Sequence, residues 1–226
     1  MNLSADVGEG GDQDEAVLAF VDSASVACGV HAGSASKSIS TALRCRDLGV
    51  EVGAHPGYDD RPGFGRVELN LTAEQIEALV AFQVAALAAV VPLAFLKPHG
   101  ALYHRCQSDA AAADAVARVA RRHDIGLVGQ PGREILAAAR RAGIPGYRDG
   151  YVDRGMMPDG SLRPRDQPGA LLSPGPAAAQ AVTLARQGLF DCLCLHSDKP
   201  DAGAVAATVR QALREAGVET GPLVHR

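Results

Sequence analysis

Short apolar runs alternate along the chain with longer stretches in which apolar positions recur at helical spacing. The short runs predict strands at Leu3–Ala5, Ser25–Cys28, Val50–Ala54, Leu93–Lys97, Ile125–Gly129 and Cys192–Leu195. The helical spacing predicts helices at Asp14–Val21, Lys37–Leu48, Ala73–Val91, Ala110–Arg122, Glu134–Ala142, Ala177–Gln187 and Ala202–Ala216. Local signals agree with these boundaries. Gly49, Gly143, Gly188 and Gly217 each follow a helical stretch, where a left-handed residue ends the helix. Ser108 is placed to cap the fourth helix, and Thr72 with Gln75 forms a capping box for the third.

Strand followed by helix, repeated along the chain, means a parallel sheet. At this length a (β/α) barrel of one domain over residues 1–226 is the expected α/β fold. The least regular segment, 143–176, reads as a long loop with a hairpin turn at Pro158-Asp159-Gly160. Residues 78–96, ALVAFQVAALAAVVPLAFL, suggest a membrane span by length. Gln83, Pro92 and the dominance of alanine favour a helix followed by a strand instead.

Composition narrows the function classes. Hydrophobic residues make up 47% of the chain, but there are only four Tyr, five Phe and no Trp, so aliphatic residues must fill the core. The net charge of −4 has no long run of one sign, which argues against nucleic acid or a membrane surface as partner. Arg121-Arg122 and Arg140-Arg141 read as solvated helix faces. Five cysteines without a Cys-x-x-Cys motif read as reduced thiols. MNLSADVGEG lacks a basic n-region and an apolar h-region, so a cytoplasmic protein is expected.

The chemistry concentrates where strands end. VACGVHAG carries His31, VGAHPG carries His55, FLKPHGALYH carries Lys97 and His99, and LCLHSD carries His196 and Asp198. In a parallel barrel these ends converge on one mouth, together with Asp6 and Glu9 after the first strand. The small residues beside each histidine allow close approach of backbone or ligand. Lys97 suits a substrate carboxylate or a developing oxyanion. Asp6 and Glu9 are each open to roles as general base, metal ligand or histidine orienter. Arg66 and Arg154 are loop cations able to clamp an anion. A divalent metal on histidines and a carboxylate is an option that no local His-x-x-x-His spacing supports. No phosphate-binding glycine loop and no nucleophile elbow occurs.

SADVGEG (4–10), SVACGVHAG (25–33), GAHPGYDDRPGFGR (53–66), KPHGALYH (97–104), DGYVDRGMMPDGSLRPR (149–165) and CLHSDKPDA (194–202) together resemble the LamB/YcsF family, in order and from end to end. The resemblance implies a distorted (β/α) barrel similar to the polysaccharide-deacetylase type. It also implies ATP-dependent opening of the 5-oxoproline lactam to glutamate, with ATP acting through a complex with B and C subunits. Within the blocks it adds Tyr103 and Asp153 to Arg66 and Arg154 as substrate-binding residues. The chain departs from the family pattern at Asn2, Ser4, Ser25, Ser34, Ser197 and Lys199, and its segment before Lys97 is shorter.

An unstrained lactam resists hydrolysis, and phosphorylation of its amide oxygen would activate it. A partner would then phosphorylate, and this chain would hydrolyse. Asp6 or a histidine would activate water, Lys97 would hold carboxylate or phosphate, and His55 or His99 would protonate the leaving nitrogen. Two other readings stay open: a metal-dependent amide or acetyl hydrolase, and a binding subunit without catalysis. A homo-oligomeric state is also left open.

Overall fold

The structure, a computed structural model, describes residues 1–157, 162–165 and 167–224. Seven strands close into a parallel barrel in chain order. They are β1 (Asn2–Val7), β2 (Ser23–Ala27), β3 (Glu51–His55), β4 (Phe95–Leu96), β5 (Gly126–Gly129), β6 (Gly146–Tyr151) and β7 (Cys192–His196). The helices are α1 (Asp14–Leu18), α2 (Ala35–Leu48), α3 (Ala73–Ala88), α4 (Gly100–Cys106), α5 (Ala110–Arg122), α6 (Glu134–Ala142), α7 (Pro174–Gln187) and α8 (Ala202–Glu215). Closure comes from β1 pairing with both β2 and β7, which sets Asp6 beside Ser25 and His196.

Alternation along the strands sorts two chemistries. Leu3, Ala5, Val7, Ala24, Val26, Val52, Ala54, Leu193 and Leu195 join the main core with the helices. The opposite positions, among them Asn2, Ser4, Asp6, Ser23, Ser25, Cys192 and Cys194, face the barrel interior and are small or polar. At the base of the interior Ser23 donates to Asn2 at 2.8 Å, and Phe95, Cys192 and Leu223 form an apolar plug. The Phe95 ring lies where a Cβ on Gly53 would sit, which explains a glycine in the middle of β3. Above this plug the interior turns ionic.

Several elements differ from the sequence expectation. The 143–176 segment is not one long loop, because it contains β6. That strand reads GYRDGY and has no aliphatic run: the Phe190 ring lies against its Gly150, Leu136 and Ala139 lie against its Gly146, and its own Tyr147 ring lies over Gly126 of β5. The proposed turn at Pro158-Asp159-Gly160 lies outside the described residues, although an antiparallel bridge joins Met156 to Leu162 around it.

The fourth strand shrinks from five expected residues to two, and α4 follows it directly. Asp109, not Ser108, caps α5, with its side chain accepting from Ala111 and Ala112. The capping box at Thr72 and Gln75 is present. None of the helices is long and apolar enough to cross a membrane among the described residues. Gln83, buried in α3, bonds both the N–H and the carbonyl of Gly57, fixing the loop after β3. All five cysteines are unpaired.

Candidate active site

The strand ends meet as the spacing predicted, around a cavity of about 380 Å³. Asp6, His55 and His196 line it from the strands, Lys97 and His99 from the turn between β4 and α4, and Arg66, Tyr103 and Arg154 from the loops and α4. Glu9 and His31 are buried behind this wall. Asp153 backs His196, and Asp198 turns toward the rim, away from the ionic floor.

Lys97 sits at the centre of the floor with 2% exposure. Its ammonium lies 3.1 Å from Asp6, 3.2 Å from Asp149 and 2.9 Å from the Cys194 thiol. Burial disfavours that charge, yet the Asp149 and Asp6 carboxylates hold the amine well above its usual range. Burial likewise opposes ionisation of Asp6, but Lys97 and His196 beside it hold its carboxyl well below the usual range. Burial pushes the Asp149 carboxyl up. Asp149 is absent from the sequence-derived site because it lies in the strand that periodicity did not find.

A second cluster adjoins Asp6. The Nδ1 of His55 donates to the Lys97 carbonyl at 2.7 Å, and the Nε2 of His99 donates to the Phe64 carbonyl at 2.8 Å. These bonds fix both tautomers, so His55 Nε2 and His99 Nδ1 present lone pairs to each other across 3.1 Å. Glu9 Oε1 completes the group, 2.9 Å from His99 Nδ1 and 3.7 Å from His55 Nε2.

His31 reaches Glu9 Oε1 from behind at 3.3 Å, but between the two imidazole lone pairs and that oxygen there is no donor, and the space among them suits a proton or a cation. All three ligand atoms lie within 4.8 Å of one another. The backbone carbonyls behind the rings are the outer partners that metal-binding histidines ordinarily have. Glu9 Oε2 is buried and has no hydrogen-bond partner. The donor set therefore fits a divalent cation. Burial pushes the His55 imidazole down to about 3, which keeps it neutral and able to ligate.

His31 stacks on His99 with 3.9 Å between ring centroids and bonds Glu9 at 3.3 Å, so it orients the cluster from behind. The small neighbours have a steric role here. A Cβ on Gly57 would lie 2.7 Å from His31 Nδ1, and one on Gly65, at φ +66°, would lie 2.8 Å from His31 Cβ.

On the opposite side His196 and Asp153 form a dyad. The His196 Nδ1 donates to Asp153 at 3.0 Å, leaving Nε2 aimed toward Asp6 at 3.7 Å. Burial lowers the basicity of His196, but Asp153 outweighs it and holds the imidazole above its usual range. Tyr151 lies parallel to the ring. The floor thus combines an ionised carboxylate, a protonatable imidazole and a cluster of three acceptors around one cavity.

Comparison with known proteins places this geometry. The model of the LamB/YcsF family matches residues 1–226. A protein of Chloroflexus aurantiacus, named as the A subunit of 5-oxoprolinase, is 40% identical, with 96% of each chain covered. Its namesake in Methylococcus capsulatus is 39% identical, over 99% of this chain and 95% of its own. The crystal structure of a lactam utilization protein from Thermus thermophilus superposes with a TM-score of 0.89 at 35% identity, covering 98% of both chains. A family 4 carbohydrate esterase from Streptomyces lividans shares the fold alone, with a TM-score of 0.58 at 12% identity over 98% of this chain and 91% of its own. The chain belongs to the LamB/YcsF family.

Proposed function

We propose that this chain is the hydrolytic subunit of an ATP-dependent 5-oxoprolinase, opening the lactam of 5-oxoproline to L-glutamate. B and C subunits would couple the step to ATP hydrolysis, since no phosphate-binding glycine loop occurs in this sequence. The observation that carries the reading is the pairing of ionised Asp6 with Asp153-held His196 across one small cavity. The names borne by close relatives supply the substrate class.

Asp6 accepts a proton from water as the water attacks the ring carbonyl carbon. Lys97 behind it fixes the carboxylate and keeps it ionised. His196, protonated and oriented through Nδ1, gives the Nε2 proton to the departing ring nitrogen. His55 is a poor acid here, because burial keeps it neutral and its free nitrogen faces Glu9 and His99. The reading therefore assigns the proton to His196 and leaves His55 and His99 in the acceptor cluster with Glu9. Glu9, His55 and His99 would hold a divalent cation, which would polarise the lactam carbonyl as a Lewis acid.

That same cluster favours a second reading, a metal-dependent amide hydrolase that works alone. One experiment separates the two: glutamate release from 5-oxoproline by this chain alone and with B and C subunits, each with and without ATP. Glutamate only with ATP and partners is expected. Release without either favours the autonomous hydrolase, and no release under any condition refutes both for this substrate.

A further inference from the structure

The dyad of His196 and Asp153 has a third member that the proposed chemistry leaves unused. Lys199, in the turn between β7 and α8, is 7% exposed. Its ammonium lies 3.7 Å from Asp153 Oδ2 and donates to the Leu172 carbonyl at 3.0 Å. The Leu172 N–H donates in turn to the Asp153 carbonyl at 3.0 Å, so Lys199 also fastens the point where the segment leaving β6 returns. The other carboxylate within its reach, Asp201, is 4.0 Å away and half exposed, where water screens it.

A buried carboxylate therefore stands between two cations. Asp153 Oδ1 accepts from His196 Nδ1 at 3.0 Å, while Oδ2 accepts from the His196 main-chain N–H at 3.1 Å and faces Lys199. Burial opposes ionisation of Asp153, but His196 and Lys199 beside it hold its carboxyl below the usual range. The remaining charged and titratable groups around the imidazole have partners of their own. Asp6 on β1 is paired with Lys97, and Lys97 is shared with Asp149. Arg165 is tied to Asp198. Tyr151 lies parallel to the ring, and burial pushes its phenol well above the usual range, which keeps it neutral. Lys199 has Asp153 as its buried counter-charge.

One negative charge cannot fully neutralise two positive ones. Without Lys199 the whole field of Asp153 would fall on the imidazole and hold its proton firmly. A general acid works best when it releases its proton near the working pH. We propose that Lys199 is a positioning residue that divides the charge of Asp153 and so loosens the Nε2 proton of His196 for transfer to the leaving nitrogen. This rests on the reading of His196 as the proton donor in lactam opening. The Nδ1 proton stays in its bond to Asp153 throughout, and Nε2 alone changes state. Asp153 still outweighs the surrounding cations, and Lys199 limits by how much.

Three variants of the full chain test this, with the His196 C2 proton followed by NMR. Lys199→Gln keeps a donor for the Leu172 carbonyl and removes the charge, Lys199→Met removes both, and Lys199→Arg keeps both. The midpoint should rise by at least about 0.5 pH in the Gln and Met variants and stay within about 0.2 pH of wild type in the Arg variant. A purely structural lysine would lower Tm and leave the midpoint where it is. In the complex reconstituted with B and C subunits, Lys199→Gln should lower kcat for glutamate at least about threefold at neutral pH, with KM little changed and the alkaline limb of kcat moved up with the midpoint. An unmoved midpoint in folded Lys199→Gln overturns the proposal, as does an Arg variant that shifts like the Met variant. A midpoint that rises while the alkaline limb stays in place upholds the division of charge and refutes His196 as the proton donor. A wild-type complex that releases no glutamate refutes the 5-oxoprolinase reading, and the NMR midpoint still decides what Lys199 does.

Discussion

Replacing Lys97 with methionine isolates the ionic floor. The change keeps the length of the side chain and removes the one cation between Asp6 and Asp149, which stand 3.1 Å and 3.2 Å from it. Both carboxylates are nearly inaccessible, so neither can recover water. Removing one partner of a buried ionic group costs about 3–5 kcal/mol, because uncompensated charge stays behind. For a domain of this size that is a fall of roughly 6–20 °C in Tm.

The loss depends on pH in a defined direction. The folded pKa of Lys97 is raised, so its stabilisation is full below the unfolded value and is lost only as pH rises through the folded one. The folded pKa of Asp149 is raised too, so its ionisation costs stability above the ordinary carboxylate range. Without Lys97 that cost grows, and acid relieves it by protonating Asp149. Urea denaturation should therefore show a larger penalty at about pH 8 than at about pH 5. Adding Asp149→Asn should restore part of the loss, with a coupling of at least about 1 kcal/mol in the double-mutant cycle. A single-variant cost below about 1 kcal/mol, or strict additivity, would refute the argument that Lys97 neutralises this floor.

Other consequences are as direct. The His196 C2 proton should titrate above the ordinary histidine value of about 6.5 by NMR, and Asp153→Asn should bring the midpoint down to that value or below. The stabilisation it carries is complete below the unfolded pKa and fades as pH rises through the folded one; an unchanged midpoint would show that Asp153 does not hold the ring. Gln83→Leu strands the N–H and carbonyl of Gly57 and should cost about 2–4 kcal/mol in urea, whereas a loss within about 0.5 kcal/mol would mean that water replaces both bonds. Dialysis against zinc or cobalt followed by metal analysis should find about one equivalent per chain, removed by chelator and absent in His55→Ala and His99→Ala. Full retention of metal in those variants places the ion elsewhere.

The residues of the site were legible in the sequence to the degree that strands announce themselves. His55, Lys97 and His196 stand at the ends of aliphatic runs, so periodicity alone brings them to one mouth. Asp149 was illegible because the glycines of β6 are covered by side chains from elsewhere, Phe190 on Gly150 and Leu136 on Gly146, leaving GYRDGY without the apolar signal of a strand. Helix α4 was hidden for a related reason, being seven residues long with Gly100 at its start and His104-Arg105 near its end.

Glu9 could be read as a first-turn acid for the next helix, but α1 begins only at Asp14 and Glu9 is buried against His31 and His99. Spacing shows which residues reach the mouth. It does not show the tautomers, which depend on the carbonyls of Lys97 and Phe64. Nor does it show that Arg163 and Arg165 lean over the same cavity.

The most direct test of the account is glutamate formation by the reconstituted complex carrying Asp6→Asn in this chain. The substitution preserves shape and removes the carboxylate that takes the water proton. With the variant folded, as judged by its Tm and by retained partner binding, turnover should fall at least about a hundredfold. Turnover within about threefold of wild type would contradict the assignment of Asp6 as the base.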